Sequence, residues 1–489
     1  MESLGIRTRT VKGALASFAA LAMFTSLAGA DAVAGKEIAV PGGGKTVTQE
    51  VLEILKRSGT ISAAKYKELS RRLKTEEASS KTTANPDGWS VRWKNGTRVE
   101  SNDGRFKIKF GGRLMLDFAQ IWKDRALEAA VPGNTGSGVE VRRARLFFSG
   151  TLYERFIFRA NFGFANTGDG SVEIKDLYLG LKKLGPLGTV RIGHMKEDFS
   201  LEEMTSSKYI VFMERALPSV FNPARNTGIS AYNSFLGGRI RYAVGGFHET
   251  NSSGFGFPGN DDPSYTAPLT TYHITARLTG LPLWLNKGKT YIHLGADYSH
   301  QFVGNRDHDL RYRERPEAHL ADRYVNTGKI PGNNIDAIDL FTGEFAFGWK
   351  SLSAQAEYQG SLVSRSGAAK DLYFWGVYGQ VSWFATGERR NYSREYGNFG
   401  RTKLKQNFDP AQGQWGAWEL AARVSFLDLN EISRGVQGGE LLDITGGVNW
   451  YLWPNVRIMA NYVHSIMTDR PANSEGDGDL FEMRFQVDF

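Results

Sequence analysis

The stretch Phe481-Glu482-Met483-Arg484-Phe485-Gln486-Val487-Asp488-Phe489 stands last in the sequence. Its odd positions are all apolar and its even positions all polar or charged. In an extended strand, that alternation puts Phe481, Met483, Phe485, Val487 and Phe489 on one face and Glu482, Arg484, Gln486 and Asp488 on the other. The pattern fits a half-buried sheet in a soluble protein. It equally fits a transmembrane β-strand with lipid on one side and water on the other. The upstream sequence separates the two.

The chain has 489 residues, 12% of them aromatic, with 56 Gly and no Cys. Its mean hydropathy is −0.36. Many aromatics and glycines in a chain of polar average suit a barrel whose outer wall is apolar and whose lumen is polar. The lack of cysteine excludes disulfide and thiol chemistry. Arg7, Arg9 and Lys12 precede a short apolar run, Ala14 to Ala28, followed by Ala28-Gly29-Ala30 and Ala32-Val33-Ala34. This is the pattern of a secretory signal peptide over residues 1–30, too short to span a bilayer as a helix. The net charge of +8 points to an anionic partner. Export argues against nucleic acid.

Residues 31–88 read as a helical segment and linker expected in the periplasm. Within it, 46–77 carries two apolar stripes, with Ser62 as a helix N-cap. A small hairpin is expected over Asn95-Gly96. From Arg105 onward the helical period gives way to about 16 alternating segments, from 105–122 and 140–152 through 456–468 and 478–489. Tight turns such as Tyr153-Glu154 and Pro454-Asn455 contrast with longer insertions at 123–139, 196–225, 249–268, 304–335, 386–413 and 469–477. Trp122, Trp349, Trp383 and Trp453 fall at or near strand ends, where amphipathic rings suit a headgroup layer. A soluble sandwich does not account for the leader, the strand number and the uneven loops together. The expected fold is therefore all-β: a transmembrane antiparallel barrel over 89–489.

No Ser/His or metal-ligand spacing stands out among the eight His, so neither an enzyme nor a metal or cofactor site is expected. A barrel enzyme or adhesin is the rival from another class. Basic residues inside the strands are more informative. A Lys or Arg facing lipid at mid-membrane costs about 2–4 kcal/mol, so Arg113, Arg143, Arg145 and Arg159 belong on the lumen side or at the rim. Arg142 lies opposite Arg143 unless a bulge or the rim accommodates it. Rings of such residues make a pore anion-selective. The insertion 196–225 is too apolar for an exposed loop, and folding inward would bring Lys208, Arg215 and Arg225 to a constriction. Arg311, Arg313 and Arg315 recur every second residue, with Arg323 nearby, and suit an anion funnel.

The sequence resembles the phosphate-selective porin O and P family. The resemblance rests on Gly111-Gly112-Arg113, on Val141-Arg142-Arg143-Ala144-Arg145-Leu146, on Ile174-Lys175-Asp176-Leu177-Tyr178-Leu179 and on the stretch from Gly193 to Gly228. Arg313-Glu314-Arg315-Pro316-Glu317 adds to it. It implies a homotrimer of 16-stranded barrels in the lipid of the bacterial outer membrane. Small anions, phosphate foremost, would pass a constriction bearing Arg113, Arg142, Arg143, Lys208 and Asp176. An arginine ladder at Arg311, Arg313, Arg315 and Arg323 would lead in. The sequence departs from the family in its 46–77 segment and in the single lysine of Ser206-Ser207-Lys208. A general porin, or one for polyphosphate or organic anions, is the nearer alternative.

Overall fold

A computed structural model describes residues 55–58, 61–82, 88–93, 96–165, 172–251, 269–304, 306–471 and 474–489. The expected leader and most of the first helical stripe lie outside them. Residues up to Ala84 form one compact unit and those from Asn85 another. In the first, a helix runs Ala63–Thr82, and Ser62 Oγ accepts the Lys65 amide at 3.2 Å, a side-chain cap on an otherwise unpaired donor. No described helix is long and apolar enough to cross a membrane.

The second unit is built on an eighteen-stranded antiparallel sheet, of which sixteen strands close into a barrel. In chain order these are β1 (Lys107–Lys123), β2 (Gly136–Leu152), β3 (Phe156–Gly163), β4 (Glu173–Leu181), β5 (Thr189–Lys196), β6 (Arg225–Phe235), β7 (Ile240–His248) and β8 (Thr270–Leu285). Then follow β9 (Thr290–Val303), β10 (Ile335–Trp349), β11 (Leu352–Arg365), β12 (Leu372–Phe384), β13 (Ala417–Glu431), β14 (Val436–Trp453), β15 (Val456–Arg470) and β16 (Ser474–Asp488). The two remaining strands, Trp89–Trp93 and Thr97–Ser101, make the expected hairpin, which pairs with the start of β1.

Closure falls to the strand quoted first. β16 pairs with β1 from Gly478↔Lys123 to Asp488↔Arg113. The Phe489 amide donates to Gly112 O at 3.1 Å, and the Gly112 amide to Phe489 O at 2.9 Å. Closure leaves the sheet no open edge, which is how a strand-built wall satisfies its backbone groups in a bilayer. The alternation is realised: Glu482, Arg484, Gln486 and Asp488 are buried in the interior, whereas Phe485, Val487 and Phe489 are exposed on the outer wall. That wall is apolar elsewhere too, at Leu146, Leu179, Ile192, Ile229, Leu278 and Val424.

Strand parity gives the barrel a turn rim, which holds the C-terminus, and a loop rim. Two expected insertions differ from the structure. The 469–477 loop does not form, because β15 and β16 stay paired out to Arg470↔Ser474. Segment 385–416 emerges at the turn rim, opposite the other long insertions, since β12 runs toward that rim. It turns back into the barrel and buries Tyr392 and Phe399 against Leu201, Leu281, Tyr291 and Ala346.

Gly112 has no room for a side chain: a Cβ there would lie 2.6 Å from the Phe489 ring and 2.8 Å from Arg145 O. Gly112→Leu is expected to destabilise the closing seam by about 1–3 kcal/mol, seen as loss of the fast-migrating folded band on unheated gels.

Candidate functional site

The inward segment between β5 and β6 begins with one helical turn, Leu201–Met204, capped by Ser200 Oγ. The Leu201 and Glu202 amides donate to the Glu357 carboxylate of β11 at 3.0 and 2.8 Å. The segment's apolar side chains, Phe199, Leu201, Ile210, Phe212, Met213, Leu217 and Phe221, are all buried. Its backbone is held from across the lumen: Arg457 of β15 donates to Ile210 O at 2.9 Å and Asn449 of β14 to Val211 O at 2.8 Å. The segment thus narrows the barrel from within.

The adjacent wall carries a β-bulge. Met115 of β1 faces Arg143, and Leu116 faces Val141, leaving Arg142 as the extra residue. A bulge inserts one residue and shifts the alternation, so Arg142 and Arg143, though consecutive, both reach the interior. Both bind Glu214 of the inward segment. Arg142 does so as a fork, Nε and Nη2 each at 2.9 Å, and Arg143 Nη2 lies at 3.3 Å. Arg484 of β16 joins them at 2.6 Å and also grips Asp117 of β1 at 2.6 and 2.7 Å. Burial opposes the charge on Glu214, yet Arg142, Arg143 and Arg484 hold its carboxyl well below the usual carboxylate range.

Beside this clamp lies a cavity of about 220 Å³ lined by seven arginines and one lysine: Arg113, Arg143, Arg145, Arg159, Arg191, Arg215, Arg225 and Lys196. Asp176 is the one carboxylate in its lining. It accepts from Arg159 and Arg225 at 3.0 Å each and from Asn161 at 2.8 Å. Lys196 and Arg215 both pair with Glu203, at 2.5 and 2.9 Å. Burial raises the Glu203 carboxyl, but Arg215 and Lys196 outweigh it and hold the group down at about 2. Arg113 is buried and donates to Ser207 Oγ at 2.6 Å. Among the described residues Arg113 has no carboxylate partner, and Arg145 has no protein hydrogen bond or ion pair.

Of the residues singled out from sequence, Arg113, Arg143 and Asp176 line this cavity together. Arg142 lines an adjoining cavity on the loop-rim side, with Glu214, Glu314, Arg315 and His319. Lys208 lines neither of them; it is buried and pairs with Asp488 at 3.3 Å. The arginine-rich insertion folds inward too. Glu317 anchors it through Arg423 Nε at 2.7 Å and Thr445 Oγ1 at 2.6 Å. Arg315 faces the adjoining cavity, Arg311 lines a separate vestibule, and Arg313 and Arg323 line neither. Arg323 is nonetheless depressed by burial and then by Arg315 and Arg313, so the four guanidinium groups share one field. Arg145 and Arg159, expected toward the lumen, and Arg215 and Arg225, expected at the constriction, also line the cavity, as do Arg191 and Lys196, which were not singled out from sequence. Arg145 was accessible from its period-two spacing to Arg143; Arg191 carries no local signal. Among the described residues no acidic or histidine cluster is arranged to hold a metal.

The family model of phosphate-selective porin O and P matches residues 107–489. The chain belongs to this family. It is an outer-membrane porin, a channel for anions, and the turn rim is its periplasmic end. Porin O of Pseudomonas aeruginosa is 26% identical, over 82% of this chain and 92% of its own. An uncharacterized protein of Caulobacter vibrioides is 28% identical, over 76% of this chain and 71% of its own. Among solved structures, an anion-selective porin from Comamonas acidovorans is 13% identical and superposes with a TM-score of 0.49, covering 78% of this chain and all of that one.

Two groups on the inward segments titrate near neutrality. Burial pushes Glu314 up to about 7, against Arg315 and Arg323. Burial, with Arg113 and Arg401 nearby, pushes Lys208 down to about 8, against Asp488. Raising the pH through the first value adds a negative charge among the arginines; raising it through the second removes a positive one. Anion selectivity, read as reversal potential in a chloride gradient, is expected to fall in two steps between pH 6 and pH 9. Glu314→Gln should shrink the lower step and leave the upper.

Proposed function

We propose that the porin binds and passes inorganic phosphate at the arginine-lined cavity. The observation that carries this reading is the cavity's charge: seven arginines and one lysine against Asp176 in its lining, with Arg113 and Arg145 free of carboxylate partners among the described residues. Guanidinium forks match phosphate oxygens in geometry as well as charge. Placed in a low-dielectric wall, they offset the loss of the anion's hydration water. Arg311, Arg313, Arg315 and Arg323, which share one field, raise the local anion concentration, and the paired arginines keep any one site from holding too tightly, since conduction needs release as well as capture.

In the same reading the porin is a homotrimer, residues 1–30 are a cleaved leader, and the helical segment within 31–88 lies in the periplasm. The exposed apolar outer wall supports embedding and packing between barrels. The residues do the work of binding and passage, with no catalytic step.

In planar bilayers, millimolar phosphate is expected to block chloride current through the wild type. Arg145→Ala removes a charged donor that holds no structural partner and should raise the half-blocking concentration about tenfold. Unblocked chloride current in the wild type would overturn the phosphate reading. A cation-selective reversal potential would contradict the anion channel itself.

A further inference from the structure

Below the arginine cavity, toward the periplasm, lies a second chamber of about 600 Å³. The two share Arg159, Tyr178, Arg191 and Met204 as walls, so an occupant of one abuts the other. The lower chamber differs in chemistry. Tyr178, Tyr232 and Tyr396 line it, on β4, on β6 and on the inward periplasmic segment 385–416. Arg191 lies between two of these rings, 5.6 Å from Tyr178 and 4.9 Å from Tyr232. Arg241 lies 5.2 Å from Tyr232. Both guanidinium groups are held by Asp198, at 2.8 and 2.7 Å, so the rings are braced rather than loose. The chamber's other carboxylate, Glu100, is paired with Arg92. Lys107, Lys109 and Lys182 also line it and form no ion pair among the described residues.

A bare phosphate ion gains little from tyrosine rings beyond hydroxyl hydrogen bonds. A ligand carrying a flat ring gains contact with ring faces and edges, and its ring is also attracted to braced guanidinium groups. The upper cavity, about 220 Å³, takes the oxyanion, and the larger ring-lined chamber below takes the organic body. We propose that cavity and chamber form one two-part site for aryl phosphate monoesters. The phosphate engages Arg113 and Arg145; the ring lies among Tyr178, Tyr232 and Tyr396, and the lysines balance the second negative charge. The proposal rests on the anion-binding reading of the upper cavity and extends it to an organic substrate class.

The test uses the whole porin in planar bilayers, with chloride current blocked by inorganic phosphate, methyl phosphate or phenyl phosphate added in turn. Phenyl phosphate is expected to half-block at about a tenfold lower concentration than methyl phosphate, the scale of one ring-stacking contact. Tyr396→Leu, on the exposed part of the periplasmic segment, should shrink that ratio to about twofold, with inorganic phosphate block unchanged. Tyr232→Leu serves as an independent second variant with the same expectation. Equal block by the methyl and phenyl esters in the wild type would overturn the proposal, as would a ratio that survives both substitutions. Block by phenyl phosphate without block by inorganic phosphate would refute the phosphate reading and leave the two-part site standing.

Discussion

Three arginines converge on the Glu214 carboxylate: Arg142 and Arg143 from β2, and Arg484 from β16. Between those strands lies β1, whose Asp117 binds Arg484 from the other side. The cluster therefore bridges the closing seam of the barrel and fastens the inward segment to it. Stripping one partner from a buried, paired charge costs about 3–5 kcal/mol. The position of the constriction depends on this balance. Without Glu214, Arg142 and Arg143 would face Arg484 with only Asp117 left to balance the three cations; without the arginines, the segment would carry an unpaired carboxylate into the lumen.

The bulge at Arg142 makes the cluster possible. A regular strand would send Arg142 into lipid, at a cost of about 2–4 kcal/mol. The extra residue opposite Met115 and Leu116 turns it inward instead. The same device divides labour between neighbours. Arg142 serves the clamp and the adjoining cavity, while Arg143 and Arg145, two residues apart, reach the anion cavity. Arg143 belongs to both, since it also binds Glu214, whereas Arg145 has no carboxylate partner among the described residues.

Much of the architecture was legible from period-two alternation, because lipid outside and water inside impose opposite demands on successive residues. All sixteen barrel strands coincide with alternating segments of the sequence to within a few residues. The inward course of 197–224 was legible from Phe199, Leu201, Ile210 and Phe212, side chains too apolar for an exposed loop. The course of 385–416 was not. Its burial depends on Tyr392 and Phe399 meeting Leu201 and Tyr291, residues roughly a hundred or more positions away, and its rim is set by counting strands, not by its own composition.

The sequence by itself determined that this is a closed, anion-facing membrane barrel with a constricting segment. Those properties follow from local patterns: alternation, charge placed on one face, and apolar residues in a long connector. Only the tertiary structure decided which basic residues are free to bind an anion. Arg142 and Lys208 carry the same charge as Arg113 and Arg145, yet Glu214 and Asp488 already hold the former pair. Those carboxylates come from distant parts of the chain, and long-range ion pairing leaves no trace in local sequence.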